Sequence, residues 1–360
     1  MDGILGGSDS GWNAGINQEK CSASTTPSLL ADCPHPARPM HYLVTGGAGF
    51  IGSHLVERLL ARGDRITVLD DFSTGDAANL RGVHGHAALR VVHGSVCDEV
   101  LVDELCYQVD GVVHLAAAVG VRRILEQQVG SIVTNLRGAE VVLRACLAHG
   151  RLPVWLASTS EVYGKLDRTP FREDDDSVLG GSHLHRWSYA CSKLMDEFLA
   201  LACHRERGLP VSIMRFFNVT GPRQSPAYGM VLPRFCRAAL AGGKLEVHGD
   251  GAQSRCFLHV SDCVDAVVGL LDCKAAEGRV VNIGSAEEVS IIALAERVIA
   301  AAGTAATIQR ISYADAFPEG GFEDMRRRVP DVSRLKSLTN WTQRFDLDAT
   351  IRQSLDWARP

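Results

Sequence analysis

Residues 46–52 read GGAGFIG, and no other stretch limits the fold as tightly. Gly46, Gly49 and Gly52 recur every third residue, directly after the apolar run YLVT and at the head of FIGSHLVERLLARG (50–63), which has helical apolar spacing. Such a strand–turn–helix seats a pyrophosphate. The first glycine allows the tight turn, the second lets the backbone approach the phosphates at the helix N-terminus, and the third lets helix and strand pack closely. Gly46, Gly49, Phe50, Ile51 and Gly52 are therefore the expected cofactor surface. Asp70 ends the next strand, RITVLDD, about 20 residues on, where a carboxylate bonds the adenosine ribose hydroxyls. Its charge repels a 2′-phosphate, so the expected cofactor is NAD.

The chain continues as alternating β-rich runs and helical patterns. Strands are expected at LRVVHG (89–94), GVVHLAAA (111–118), LPVWLAST (152–159) and LPVSIMRFFNV (209–219), and long helices at 131–150 and 188–208. Buried strands separated by amphipathic helices imply an α/β fold with a doubly wound parallel sheet, here over residues 40–220. After GPRQSPAYG the pattern changes. Helical segments at 231–241, 261–272, 290–302 and 346–358, with a charged, irregular stretch at 318–345, read as a smaller lobe over 221–360, interleaved with the first part. Residues 1–39, rich in Gly, Ser, Asn and Pro and without periodicity, are expected to be a disordered leader, with Met40 as the start of the functional chain.

Net charge is −5, which sets the chain apart from basic nucleic-acid binders. No stretch has the ~18–20 uncharged apolar residues of a membrane helix, so no membrane association is expected. The 11 cysteines form no CxxC pair, so they are expected as free thiols in a reducing cytoplasm, and no metal site is expected.

Tyr189 and Lys193 stand in YACSK at i, i+4, on one helix face. A lysine ammonium beside a phenol lowers the phenol pKa, giving a group that exchanges a proton while a hydride leaves an alcohol. The preceding strand ends in STSEVYG (158–164), whose hydroxyls are placed to hold the reacting sugar oxygen.

Together, GGAGFIG, Asp70, HLAA (114–117), STSEVYG, YACSK and RFFNVTGPRQ resemble the extended short-chain dehydrogenase/reductases that act on nucleotide sugars, over about residues 41–345. The resemblance implies a Rossmann domain holding NAD, a C-terminal lobe holding a nucleoside-diphosphate sugar, most commonly a UDP-sugar, transient oxidation at sugar C4, and homodimers built through the long helices. It assigns Leu115, Ala116 and Ala117 to the cofactor, Tyr189 as base, Lys193 as its activator and ribose anchor, and Thr159 as the hydroxyl near C4. It places Asn218 at the diphosphate, Arg234 in MVLPRF (230–235) along the base, and Val247 and Arg255, in LEVHGDGAQSRCF (245–257), over the nucleotide. Among Arg326, Arg327 and Arg328 it does not say which reaches the substrate. Ser95 replaces the family's usual Asp near adenine, with Asp98 a possible substitute.

Which reaction follows C4 oxidation turns on Thr159-Ser160-Glu161. A 4-epimerase needs no further acid or base. A 4,6-dehydratase needs an acid where Ser160 stands, and a serine hydroxyl is a poor one. A decarboxylase exploits the β-keto acid that oxidation of a hexuronate creates. Thr-Ser-Glu and the RCF around Arg255 resemble the UDP-glucuronate decarboxylases, with Ser160 and Glu161 at the sugar. Decarboxylation of UDP-glucuronate is thus the leading expectation. A UDP-hexose or UDP-hexuronate 4-epimerase is the alternative, with a dehydratase or a silent cofactor-binding module further off.

Overall fold

The computed structural model describes residues 38–120, 127–316 and 325–359. The expected leader, 1–39, lies outside these except for its last two residues.

Seven strands form one all-parallel sheet: β1 (His41–Thr45), β2 (Arg65–Asp70), β3 (Leu89–His93), β4 (Gly111–His114), β5 (Val154–Thr159), β6 (Val211–Phe216) and β11 (Arg279–Ile283). Their order is β11-β6-β5-β4-β1-β2-β3. The order reverses direction between β1 and β4, and in an open α/β sheet that is where the carboxyl ends of the strands leave a crevice for a ligand.

Both sheet faces are covered. One carries helix α1 (Phe50–Arg62), through Leu55, Val56, Leu59 and Leu60, and a later helix, α6 (Val260–Leu271), through Val264, Val267 and Leu270. The other carries α2 (Glu99–Cys106), α3 (Gln128–Ala148) and α4 (Trp187–Arg207), whose apolar residues bury Val112, Leu156 and Ile213 of the sheet. Near-continuous burial along β1, β5 and β6 follows, as expected of strands covered on both sides.

The lobe has its own core. Helices α5 (Val231–Leu240) and α7 (Ile291–Ala302) pack on β8 (Lys244–His248) and on the last helix, α9 (Leu347–Ala358). Short strand pairs finish it: β7 (Val219–Thr220) with β10 (Leu258–His259), β9 (Ser254–Cys256) with β12 (Glu288–Ser290), and β8 with β13 (Thr307–Ile311). Among the elements the structure adds to those expected are α2, the seventh strand β11, contributed by the late chain to the first sheet, and helix α8 (Ser333–Thr339) within the charged stretch.

One buried polar network fixes the end of β5. Arg215 on β6 donates to both carboxylate oxygens of Glu197 on α4, at 2.9 and 2.6 Å, and to the Glu173 carbonyl at 3.2 Å. Ser158, cross-strand partner of Arg215, donates to the same carboxylate. The guanidinium lies 4.7 Å over the ring of Tyr163, whose hydroxyl donates to Asn282 of β11 at 2.7 Å. Ser158 and Tyr163 thus serve the framework. Replacing Arg215 by Met leaves the Glu197 carboxylate buried without its ion partner, and urea denaturation is expected to show a loss of about 3–5 kcal/mol.

Candidate active site

A cleft of about 1850 Å³ runs from the glycine-rich turn, past the carboxyl ends of the strands, to the lobe. At its first end the turn leaves no room for side chains. Gly46 sits at φ +70°, and a Cβ there would come within 2.8 Å of the Ala116 nitrogen; a Cβ on Gly52 would meet the Gly46 oxygen at 2.2 Å. Helix α1 begins without a side-chain cap, so its first N–H groups are left to a ligand, and Gly49, Phe50, Ile51 and Gly52 line the cleft there.

Asp70 also lines it, mostly buried, and accepts from the backbone N–H of Ala48 and Phe72 at 2.9 Å each. Burial pushes its carboxyl up, against those two hydrogen bonds, which pull it down. It braces the turn while keeping lone pairs for ribose hydroxyls. Leu115, Ala116 and Ala117, expected at the end of β4, lie beyond it as cleft-lining loop, with Ala116 N–H donating to Thr45 at 3.2 Å. This end fits a dinucleotide. Asp98 does not take part: it caps α2 by accepting from the Leu101 N–H at 3.1 Å.

Midway along the cleft the reactive groups meet. Thr159, Ser160 and Glu161 turn out of β5, and α4 brings Tyr189 and Lys193 alongside. The Thr159 hydroxyl lies near enough to the Tyr189 phenol to pull its proton affinity down. One expectation is corrected here. The phenol is pushed up, not down, by burial and by the Glu161 and Asp196 carboxylates. Lys193 gives it no relief because its ammonium is paired with Asp196 at 2.8 Å.

Glu161 is ringed by arginines. Arg328 donates to its Oε1 at 3.0 Å and to the Ser160 hydroxyl at 3.2 Å, and Arg186 reaches Oε2 at 3.3 Å. Burial pushes the Glu161 carboxyl up, but Arg186, Arg328 and Arg255 together outweigh it and hold it below the usual range. Three guanidinium groups thus act on one carboxylate. Arg328 is only 8% exposed, and its Nε has no hydrogen-bond partner among the described residues. Of the three consecutive arginines it is the one at the site; Arg327 instead pairs with Glu288 at 2.7 Å, and Arg326 does not line the cleft.

Towards the lobe, Asn218 lines the cleft at φ +27° and donates to the Cys256 carbonyl at 3.0 Å; Arg255 lies buried beside it. Arg234 pairs with Glu246 at 2.7 Å, and both line the outer end. Val247 is the second correction. Side chains alternate along β8, so Glu246 and His248 face the cleft while Val247 is fully buried in the lobe core. Sequence reasoning missed Arg186 and Asp196, although their spacing from Tyr189, three before and seven after, puts both on its helix face.

The sequence profile of the NAD-dependent epimerase/dehydratase family matches residues 42–284. A UDP-N-acetyl-α-D-glucosaminuronate decarboxylase of Bacillus cytotoxicus is 40% identical over 318 residues, covering 88% of this chain and 97% of its own length. Among solved structures, a UDP-glucuronic acid 4-epimerase from Bacillus cereus, in complex with UDP-glucuronic acid and NAD, superposes with TM-score 0.79 at 28% identity, over 89% of this chain and 99% of its own. A dTDP-glucose 4,6-dehydratase from Streptomyces venezuelae with NAD bound gives TM-score 0.79 at 30% identity, over 88% and 96%.

Replacing Gly46 by Ala adds a Cβ against the Ala116 backbone and forces a side-chain residue into left-handed geometry, which alone costs about 1–2 kcal/mol. Isolated protein carrying this change is expected to release at least tenfold less NAD on denaturation, by roughly that energy, with its circular dichroism unchanged.

Proposed function

The chain belongs to the NAD-dependent epimerase/dehydratase family, and from that premise we propose that it decarboxylates a UDP-linked hexuronate, UDP-glucuronate or its 2-acetamido counterpart, through transient oxidation at C4. The observation that carries this reading is the arginine ring around Glu161, next to Thr159 and Tyr189. Guanidinium groups gathered in a largely buried pocket suit a substrate that brings a carboxylate, whose two oxygens a guanidinium fork matches. The Bacillus cytotoxicus relative, named for a decarboxylase acting on a 2-acetamido uronate, points the same way.

In this reading Arg328 and Arg255 hold the sugar carboxylate, and Thr159 holds the C4 hydroxyl in line with Tyr189. Tyr189 takes the hydroxyl proton. NAD, when bound, accepts the C4 hydride and later returns it. The C4 ketone is β to the carboxylate, so the C5–C6 bond breaks, carbon dioxide leaves, and the electron pair passes to the C4 oxygen, where Tyr189 and Thr159 donate hydrogen bonds. C5 then gains a proton, the ketone is reduced, Tyr189 returns its proton, and a UDP-pentose results. Glu161, held ionised by its arginines, keeps them at the site. Asn218 and Arg234 serve the diphosphate and the base; the residues before 220 hold chiefly the cofactor and those after 221 chiefly the nucleotide, with Asn218 at their junction.

A 4-epimerase acting on the same uronate is the second reading, favoured by the likeness to the Bacillus cereus enzyme. Product analysis separates the two. Incubation with each UDP-hexuronate is expected to release carbon dioxide and a UDP-pentose; a product of unchanged mass and inverted C4 would replace this reading by epimerisation. Glu161→Gln is expected to slow carbon dioxide release on the order of a hundredfold while bound NADH still forms, and Tyr189→Phe to abolish both.

The enzyme is further proposed to be a homodimer. Val129, Val133 and Leu136 on α3 and Met195 and Phe198 on α4 form an exposed apolar stripe on neighbouring helices, with Phe198 at 57% exposure. Nothing on the described helices is long and apolar enough to cross a membrane, and every described cysteine is a free thiol, in keeping with a cytoplasmic enzyme. Light scattering is expected to give twice the chain mass, falling to the monomer value for Phe198→Asp.

A further inference from the structure

The catalytic face of α4 carries a third ionisable group. Tyr189, Lys193 and Asp196 are spaced i, i+4 and i+7, so all three point the same way, toward β5. Asp196 is 1% exposed, its Oδ2 accepts from the Lys193 ammonium at 2.8 Å, and its Oδ1 has no hydrogen-bond partner among the described residues. A carboxylate is costly to bury, and this one sits where an apolar residue would pack. Its one ion partner among the described residues is the lysine whose charge the oxidation chemistry needs.

We propose that Asp196 is a positioning residue for the proton exchange at C4: by holding Lys193 it moderates the pull of the ammonium on the Tyr189 hydroxyl, keeping the phenol protonated for the steps after oxidation. An unpaired Lys193 would favour phenolate at Tyr189, whereas the Lys193–Asp196 pair is nearly neutral as seen from that hydroxyl. The direction found at Tyr189 agrees, since burial and then the Glu161 and Asp196 carboxylates push its proton affinity up. The other charged groups facing this cluster are Glu197 on the same helix, which raises Asp196, Arg186 at the start of that helix, paired with Glu161, and Glu161 and Arg328 across the cleft, which act on Tyr189 in opposite senses. His114 on β4 faces Lys193 but stays neutral in the working range; burial and that ammonium hold it at about 3. The device keeps Tyr189 a hydrogen-bond donor at neutral pH, the form needed when the C4 oxygen carries negative charge.

The inference rests on the oxidation step of the proposed function and is independent of what the 4-keto sugar does next. The test is a single-turnover measurement of bound NADH formation against pH, using UDP-glucuronate and UDP-N-acetylglucosaminuronate with the NAD-loaded enzyme. Oxidation needs the phenolate, and a nearby anion favours the phenol, so removing the anion moves the rising limb of the profile to lower pH. Asp196→Asn is expected to move it down by about one unit or more. Asp196→Glu, which keeps the charge, is expected to follow the unmodified enzyme. An unmoved limb in Asp196→Asn, or an equal displacement in both variants, overturns the proposal. If Asp196→Asn does not fold, Asp196→Ser also removes the charge and is scored the same way. If the unmodified enzyme forms no NADH with either sugar, the oxidation reading falls and this inference with it; NADH formation without carbon dioxide release overturns only the decarboxylation.

Discussion

The bidentate ion pair between Arg215 and Glu197 is the contact on which the rest of the site depends. It joins β6 to the catalytic helix inside the protein, and Ser158 closes it onto β5 one residue before Thr159. The substrate-facing triplet and the Tyr189–Lys193 face are therefore referenced to one rigid point. Buried pairs of this kind add little net stability over well-packed apolar residues, because desolvating both charges is expensive. What this one supplies is position. The Thr159 hydroxyl and the Tyr189 phenol must meet within hydrogen-bond reach, and the elements that carry them are both anchored to the same carboxylate.

The site divides into two electrostatic regimes. Around Glu161 arginines gather, and a carboxyl group that burial would otherwise push up is held below its usual range. Around Lys193 the charges cancel, and the neighbouring phenol stays protonated. The two regimes adjoin where Thr159 faces Tyr189. On the proposed function, an anionic sugar would meet the first, and proton exchange would belong to the second. Separating attraction from proton transfer lets each be tuned without spoiling the other.

Much of the fold was legible because burial imposes periodicity. The glycine spacing, the apolar strands and the helices around Tyr189 all follow from which residues must meet the core. What escaped was long-range or too short to show a period. The run RVVNI says nothing about which sheet it joins; only the tertiary fold makes β11 the neighbour of β6. Helix α8 has seven residues, two turns, within a charged stretch. Val247 was misassigned because a whole segment was credited with ligand contact, whereas a strand offers a ligand every second side chain. Arg186 and Asp196 pass as ordinary charges of a helix until they are read from Tyr189, when both prove to face inward. Lys193 does line the cleft beside Tyr189, as its spacing indicated, but the effect of its charge depended on a neighbour three residues on.

The placement of β11 also bears on how the chain is made. The cofactor sheet is built largely from the first 216 residues, yet its edge next to β6 stays open until residues 279–283 have been synthesised. Until then β6, fully apolar-flanked and unpaired on one side, is an edge of the kind that recruits foreign strands. The intervening stretch, Val219 to Gly278, must be threaded out into the lobe and back before the sheet is sealed. Cofactor half and substrate half are thus not modules that could be inherited or exchanged separately. Any insertion, fusion or truncation that delays the return of β11 exposes the nascent sheet for longer, so the order of synthesis itself ties the fate of the NAD-binding half to that of the lobe.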